Sequence, residues 1–101
     1  LLQNNVIVRR DEVIAREILE KKDLDYKNIN SKIKTLLRKT TDEIKLRGSI
    51  VNEITTKGNF IAKIRDSLRT NQINKYRLEV VSLKVSKTAE AIIVELNITK
   101  I

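Results

Sequence analysis

The sequence predicts an α+β fold, a two-layer sandwich in which helices cover one face of a mixed four-stranded sheet. The chain has 101 residues, of which 41% are hydrophobic. This suits one small core and leaves too few residues for two. Short β-branched runs alternate with segments whose apolar residues recur at helical spacing, as expected when strands and helices alternate. The predicted order is β-α-β-α-β-β plus an extra helix at 11–22, in a single domain over 1–101.

The first part of the chain predicts a strand followed by two helices. Residues 5–10 form a β-branched run typical of a strand. In 11–22, apolar residues lie four apart, as Ile14 and Ile18 do, and acids precede basic residues in the order that suits a helix dipole. We expect this helix to belong to a helical insertion at 10–26. A second apolar stripe predicts a helix over 29–39.

The remaining segments predict a strand, a long helix and a hairpin. Residues 43–47 alternate apolar and charged side chains, which favours a strand. After Gly48 the apolar spacing predicts a helix from 49 to about 69. The runs 76–85 and 91–101 alternate as paired strands do. The alternation slips at Val80–Val81, which indicates either a bulge there or a sheet that is partly buried on both faces.

The residues that are missing exclude several kinds of chemistry. The chain has no His and no Cys, so it cannot contain a His-based triad, a thiol nucleophile or a zinc finger. The acids Asp11, Glu12, Asp42 and Glu43 each begin a predicted element, where capping explains them. We expect no enzyme activity, no metal and no cofactor. No apolar run approaches the roughly 20 residues that span a bilayer, and we expect an intracellular location in cytoplasm, nucleoid or nucleus.

Positive charge is the strongest functional signal. The formal net charge is +8, which favours nucleic acid, an anionic membrane surface or an acidic protein as partner. The charge is concentrated in two blocks: 26–39 has five basic residues and no acid, and 57–77 has six basic residues and one acid. Such blocks can bind phosphates, or they can be solvated helix faces with ion pairs. The rings lack the pattern of an RNA-reading strand, so binding to the backbone is favoured over reading of bases.

Gly48 and Phe60 each allow two interpretations. If Gly48 joins a strand to a helix start, the free N–H groups there suit a phosphate; the alternative is a plain turn with Ser49 as helix cap. The Lys-Ser/Thr pair of a P-loop is absent after Gly48. Phe60 is either a ring at the edge of the core or an exposed contact for a partner subunit, and we take it as the candidate partner interface.

The chain resembles the Alba superfamily of small basic DNA- and RNA-binding proteins. The segments that carry the resemblance are DEIKLRGSIVNEI (42–54), IAKIRDSL (61–68), KYRLEVVSLKVS (75–86) and AIIVELNIT (91–99). NNVIVR (4–9) and KNINSKIKTLLRKT (27–40) are similar to the family's first strand and first helix. The junction Arg47-Gly48 is the most specific of these matches.

The resemblance implies a dimeric β-α-β-α-β-β sandwich that serves in chromatin or in a ribonucleoprotein. It also implies three groups of nucleic-acid-binding residues: Lys27, Lys32 and Lys34 at the first helix, Arg47 and Ser49 after the second strand, and Lys84 and Lys87 in the last hairpin. We therefore expect a non-enzymatic protein that grips the phosphate backbone of DNA or RNA, as a homo- or heterodimer. The alternative is a structural subunit, such as a ring-building or secretion-apparatus domain whose membrane anchor was removed.

Overall fold

The computed structural model describes residues 4–70 and 75–101. Within them the chain forms two helices, a mixed four-stranded sheet and a small two-stranded sheet. The elements in chain order are β1 (Val6–Val8), β2 (Val13–Glu20), a 3-10 turn (Lys21–Asp23), α1 (Tyr26–Leu46), β3 (Ile54–Thr56), α2 (Phe60–Thr70), β4 (Lys75–Ser82), β5 (Ser86–Lys87) and β6 (Ile92–Lys100). The predicted α+β class with a mixed four-stranded sheet is confirmed.

The main sheet has the strand order β2-β4-β6-β3. Its two central strands, β4 and β6, are antiparallel, with Val80 opposite Leu96. β2 pairs antiparallel with β4, and β3 pairs parallel with the start of β6. β1 and β5 form the separate antiparallel pair. The hairpin predicted for the last third is confirmed, since β4 and β6 are neighbours, and β5 lies in the connection between them.

Both helices lie on one face of the main sheet. Alternate residues of the central strands, such as Leu78 and Val94, are fully buried and belong to the same core as Ile33, Leu36 and Ile64 of the helices. Burying a side chain of this size stabilises the fold by about 1.5–3 kcal/mol relative to leaving it in water. Neither of the two described helices covers the opposite face of the sheet, which carries the cross-strand ion pair Arg16–Glu79 with 2.7 Å between Nε and Oε2.

The helix predicted for 11–22 is wrong, because residues 13–20 are strand β2. Ala15 and Leu19 are buried against β4, and the same two residues lie four apart as they would on a helix. Spacing of four is compatible with both periods, since a strand also returns to the same face every second residue. The neighbouring strand β4 decides between them, and 10–26 is therefore no helical insertion.

The predicted strand at 43–47 is also wrong, and the helix predicted from 49 to about 69 is confirmed only in its second half, where α2 lies. α1 continues through Leu46, and Ile44 is fully buried on the same helix face as Thr40. The segment after Gly48 is a loop that leads into the short strand β3, and the second helix begins only at Phe60. Asn59 caps that helix by accepting a hydrogen bond from the N–H of Ala62 at 3.1 Å.

The irregularity predicted at Val80–Val81 is present, but the extra residue lies in β2. Val13 pairs with Val81 and Ala15 pairs with Val80, so Ile14 is the bulged residue opposite this step. The pairing of Val80 and Val81 with β6 continues without a shift. A bulge in the edge strand bends it locally.

Candidate nucleic-acid interface on the first helix

α1 is a long helix with a well-defined start and one buried face. The side chain of Asp25 caps it, accepting hydrogen bonds from the N–H and the side-chain amide of Asn28, both at 2.8 Å. Such a cap satisfies donors that the first turn leaves unpaired. The buried residues are Ile29, Ile33, Leu36, Thr40 and Ile44, spaced three or four apart. The opposite side of the helix consequently faces water.

Four basic residues form a line along this solvent-exposed side. Lys27, Lys34, Arg38 and Lys45 are spaced seven, four and seven residues apart and all are exposed. At about 100° per residue they lie within about 40° of one another around the helix. The 18 residue steps from Lys27 to Lys45 span about 27 Å at the rise of an α-helix. We call these four residues the α1 stripe.

The charges of the α1 stripe are unpaired within the described residues. None of the four forms an ion pair there, although the exposed carboxylate of Asp42 lies one turn beyond Arg38. The contrast is Lys39, whose Nζ lies 3.3 Å from Glu17 Oε1 and donates to the carbonyl of Arg16 at 3.2 Å. The α1 stripe is therefore free to meet an external anion, whereas Lys39 is bound to β2.

The structure divides the residues predicted at the first helix. Lys27 and Lys34 belong to the α1 stripe. Lys32 is half-buried and lies roughly 140–160° away around the helix, on the flank of Lys39. Lys32 thus cannot share one line of contact with Lys27 and Lys34.

Arg47 is occupied by partners within the chain. Its guanidinium donates to Glu12 Oε2, to Glu43 Oε1 at 3.0 Å and to the carbonyl of Ile7 at 3.0 Å. Its side chain is 28% exposed. The prediction that Arg47 contacts nucleic acid assumed an open cation, but the structure places Arg47 in a clamp between β1, the start of β2 and the end of α1.

The clamp shifts the pKa values of two of its members. Partial burial alone would raise the pKa of Glu12, but hydrogen bonds from the Arg9 N–H and Arg47, and the charges of both arginines, lower it below its ordinary value of 4.5. Burial alone would lower the pKa of Arg47, but its hydrogen bonds and charge attraction to Glu12 and Glu43 raise it. Both shifts favour the charged forms, so the clamp is an ion pair at neutral pH.

Gly48 terminates α1 and does not open a helix. Its φ is +102°, its N–H donates to the carbonyl of Lys45 at 3.0 Å, and the N–H of Ser49 donates to that of Ile44 at 2.9 Å. This pair of bonds is the Schellman pattern of a helix end with glycine in left-handed backbone. The N–H groups proposed for a phosphate are used, and Ser49 is itself buried. The plain turn is therefore correct, but Ser49 caps no helix, since a loop follows it.

The other predicted residues lie away from the α1 stripe. Lys84 is exposed and its Nζ lies 4.0 Å from Glu90 Oε2. Lys87 lies in β5, next to the C-terminal end of α1, because the N–H of Ile50 donates to the carbonyl of Thr88 at 3.0 Å. Phe60 is only 6% exposed and belongs to the core. It is the edge-of-core ring and not an exposed contact, which corrects its assignment to a partner interface.

An open groove of about 390 Å³ lies between α1 and α2, but it suits no acid–base chemistry. Its lining consists of Ile33, Leu37, Thr56, Gly58, Asn59, Phe60 and Ile61, none of which ionises near neutral pH. Among the residues that the structure describes, no cluster of acidic side chains is arranged to hold a metal ion. The groove therefore offers apolar packing space and little else.

Sequence reasoning missed Arg38 and Lys45 as members of the site. Their relation to Lys27 and Lys34 follows from helical spacing once α1 is known to continue through Leu46. The strand predicted at 43–47 placed Lys45 outside that helix. The signal was present, but it depended on the correct extent of one element.

Comparisons of the chain with protein-family models, with curated proteins and with solved structures found no match. No described helix combines the length and apolar character needed to cross a membrane. The resemblance to the Alba superfamily therefore stays a prediction. Its most specific segment, a strand followed by Arg47-Gly48 and a helix, is instead a helix end and a loop.

Proposed function

We propose that the protein is a non-enzymatic nucleic-acid-binding module that grips the phosphate backbone with the α1 stripe. The observation that carries this proposal is a line of four exposed basic residues with no ion-pair partner in the described part of the chain. α1 has six basic residues against two acids, in a chain of net charge +8. The resemblance to the Alba superfamily supports the same function in chromatin or a ribonucleoprotein.

The geometry of the α1 stripe fits a polyanion better than a single phosphate. Duplex nucleic acid presents roughly one charge per 1.7 Å of its axis, so a stripe of about 27 Å meets phosphates along its whole length. The stripe is an open row of long cationic side chains on the helix surface. Binding of this kind positions the polymer without reading its sequence.

Charge reversal on the α1 stripe tests this proposal. The double variant Lys34→Glu/Arg38→Glu changes the net charge by four units, and so does the matched control Lys57→Glu/Arg77→Glu, whose two exposed positions lie outside α1. In fluorescence anisotropy at low salt, the stripe variant should bind labelled duplex and single-stranded oligonucleotides at least about tenfold more weakly than the control does. Equal affinities for the two variants would contradict binding by the α1 stripe and would show that net charge alone determines the affinity.

A second function, assembly into a larger complex or a dimer, is favoured by exposed apolar side chains around the C-terminal end of α1. The exposed residues at this end are Val6, Leu46, Ile50, Val51 and Val85. Leu46 is 84% exposed, and exposed apolar patches commonly mark protein interfaces. We expect Leu46→Lys/Ile50→Lys to reduce self-association in sedimentation at increasing concentration. A monomeric wild type would remove the dimer from the proposal.

A further inference from the structure

Tyr26 is the one aromatic residue of the chain whose ring is exposed to water. The chain contains three aromatic residues, and all three lie in its described part. Phe60 and Tyr76 are 6% and 1% exposed, whereas Tyr26 is 64% exposed. The core is closed at this end of α1 by Leu24 and Ile29, so Tyr26, the first residue of the helix, projects beyond it.

Several basic residues lie at the end of the sheet from which the chain leads into Tyr26. Lys21 and Lys22 come just before it in the chain and share a shallow depression with Lys75 and Glu20. Lys100 lies beside Lys75, because it pairs with Tyr76 across the sheet. The four lysines at this end, which we call the basic end, are all exposed: Lys21, Lys22, Lys75 and Lys100.

The acids at the basic end are largely committed to local structure. Asp23 accepts a hydrogen bond from the N–H of Glu20 at 3.0 Å, and Asp25 caps α1. The one ion pair among the four lysines joins Lys22 and Glu20 at a long 3.9 Å within the described residues. These carboxylates keep their negative charges, but the four lysines together with Lys27 outnumber Glu20, Asp23 and Asp25, so this end of the protein is net positive.

We propose that Tyr26 stacks on an unpaired base, so that the nucleic acid bound at this end of α1 is single-stranded. The proposal rests on the proposed function and extends it, since Tyr26 and Lys27 of the α1 stripe lie in the same first turn of α1, about 100° apart around the helix. Exposed rings beside a basic groove bind single strands because every base has a stackable face. Within a duplex the bases remain stacked on one another and out of reach of a ring on a helix surface. RNA and DNA share this chemistry.

The test compares Tyr26→Ala with Tyr26→Phe on single-stranded RNA, single-stranded DNA and duplexes of the same sequence. Loss of one stacked base weakens binding by about 5- to 150-fold, and we expect this loss for Tyr26→Ala on single strands alone. Tyr26→Phe keeps the ring and should stay within about twofold of wild type. An equal loss on duplexes, or equal effects of Ala and Phe, would overturn stacking. The RNA and DNA arms show which sugar is preferred.

A tryptophan provides a direct optical signal for the same contact. The chain has no Trp, so Tyr26→Trp introduces a single tryptophan, whose emission should be quenched when a base stacks on it. A single strand that binds without quenching contradicts the inference and leaves the α1 stripe intact. If the wild type binds no oligonucleotide at low salt, the proposed function fails together with the inference.

Discussion

The guanidinium of Arg47 joins the end of α1 to the N-terminal segment of the chain. It holds the carbonyl of Ile7 in β1, Glu12 at the start of β2 and Glu43 on α1. From the sequence alone Arg47 was an exposed cation beside a glycine. Glu43 lies four residues before Arg47, a spacing that the sequence shows, but Ile7 and Glu12 lie 40 and 35 residues away, and no local pattern shows them.

Arg47→Met should destabilise the protein because it leaves Glu12 and a carbonyl without their donor. Hydrogen bonds to charged groups contribute about 1.5–3 kcal/mol each when partly buried, and residual exposure reduces this, so we expect a loss of about 1–3 kcal/mol. Urea unfolding measures the free energy. Lys45→Met, at an exposed position two residues earlier, is the control and should change stability by about 0.5 kcal/mol or less. Equal stability of the two variants would refute the clamp.

The lowered pKa of Glu12 predicts a loss of stability in acid. A carboxyl group whose pKa is lower in the folded than in the unfolded chain stabilises the fold above its unfolded value. That contribution disappears as the pH falls from about 4.5 through the lower folded pKa. Glu12→Gln cannot ionise, so the wild type should exceed it in stability near neutral pH by more than it does at about pH 3. A gap that is constant over this range would contradict the ion pair. The raised pKa of Arg47 acts only at strongly alkaline pH.

At the scale of elements, the central strands could be predicted from the alternation of their residues, whereas the edge strands could not. In β6, Ile92, Val94 and Leu96 hold one buried face without interruption, so the sequence alone indicates the strand. β2 is an edge strand with a bulge at Ile14, and its apolar residues fit a helix equally well. Short runs of this kind are decided by the neighbouring element, which no local window contains.

The true length of α1 was hidden for the same reason. In 43–47 the alternation of Ile44 and Leu46 favours a strand, yet Ile44 also continues the buried helix face through Thr40. Leu46 shows which period is followed, because it is 84% exposed. The sequence shows that the site is basic, but the four residues of the α1 stripe form a straight line only because α1 continues through Leu46.

Within α1 the stripe places like charges one turn apart, at a cost to the helix. Lys34 and Arg38 are an i,i+4 pair, which costs a few tenths of a kcal/mol, while Glu followed by Arg at this spacing gains about as much. Lys34→Glu should therefore raise the stability by about 0.5–1 kcal/mol in thermal unfolding and weaken nucleic-acid binding at the same time. If Lys34→Glu stabilises the chain and binds as tightly as wild type, Lys34 is a plain surface lysine.

At the scale of the whole molecule, charge and fold act together. The two-layer class was predictable because the chain has enough aliphatic residues for one core, and because alternating and helical patterns follow one another along it. The strand order β2-β4-β6-β3 depends on long-range pairing, which the sequence does not display. This order leaves α1 with one side free, and that side carries the charge.

The most direct test of the central claim is the salt dependence of binding to single-stranded and duplex oligonucleotides. Each phosphate contact contributes a slope of about −0.9 on duplex and about −0.7 on single strands in a plot of log K against log salt. Four contacts predict slopes of about −3.6 and −2.8 for wild type, and Lys34→Gln/Arg38→Gln should reduce them by about 1.8 and 1.4. A slope near zero, or one that the double variant leaves unchanged, would contradict phosphate binding by the α1 stripe.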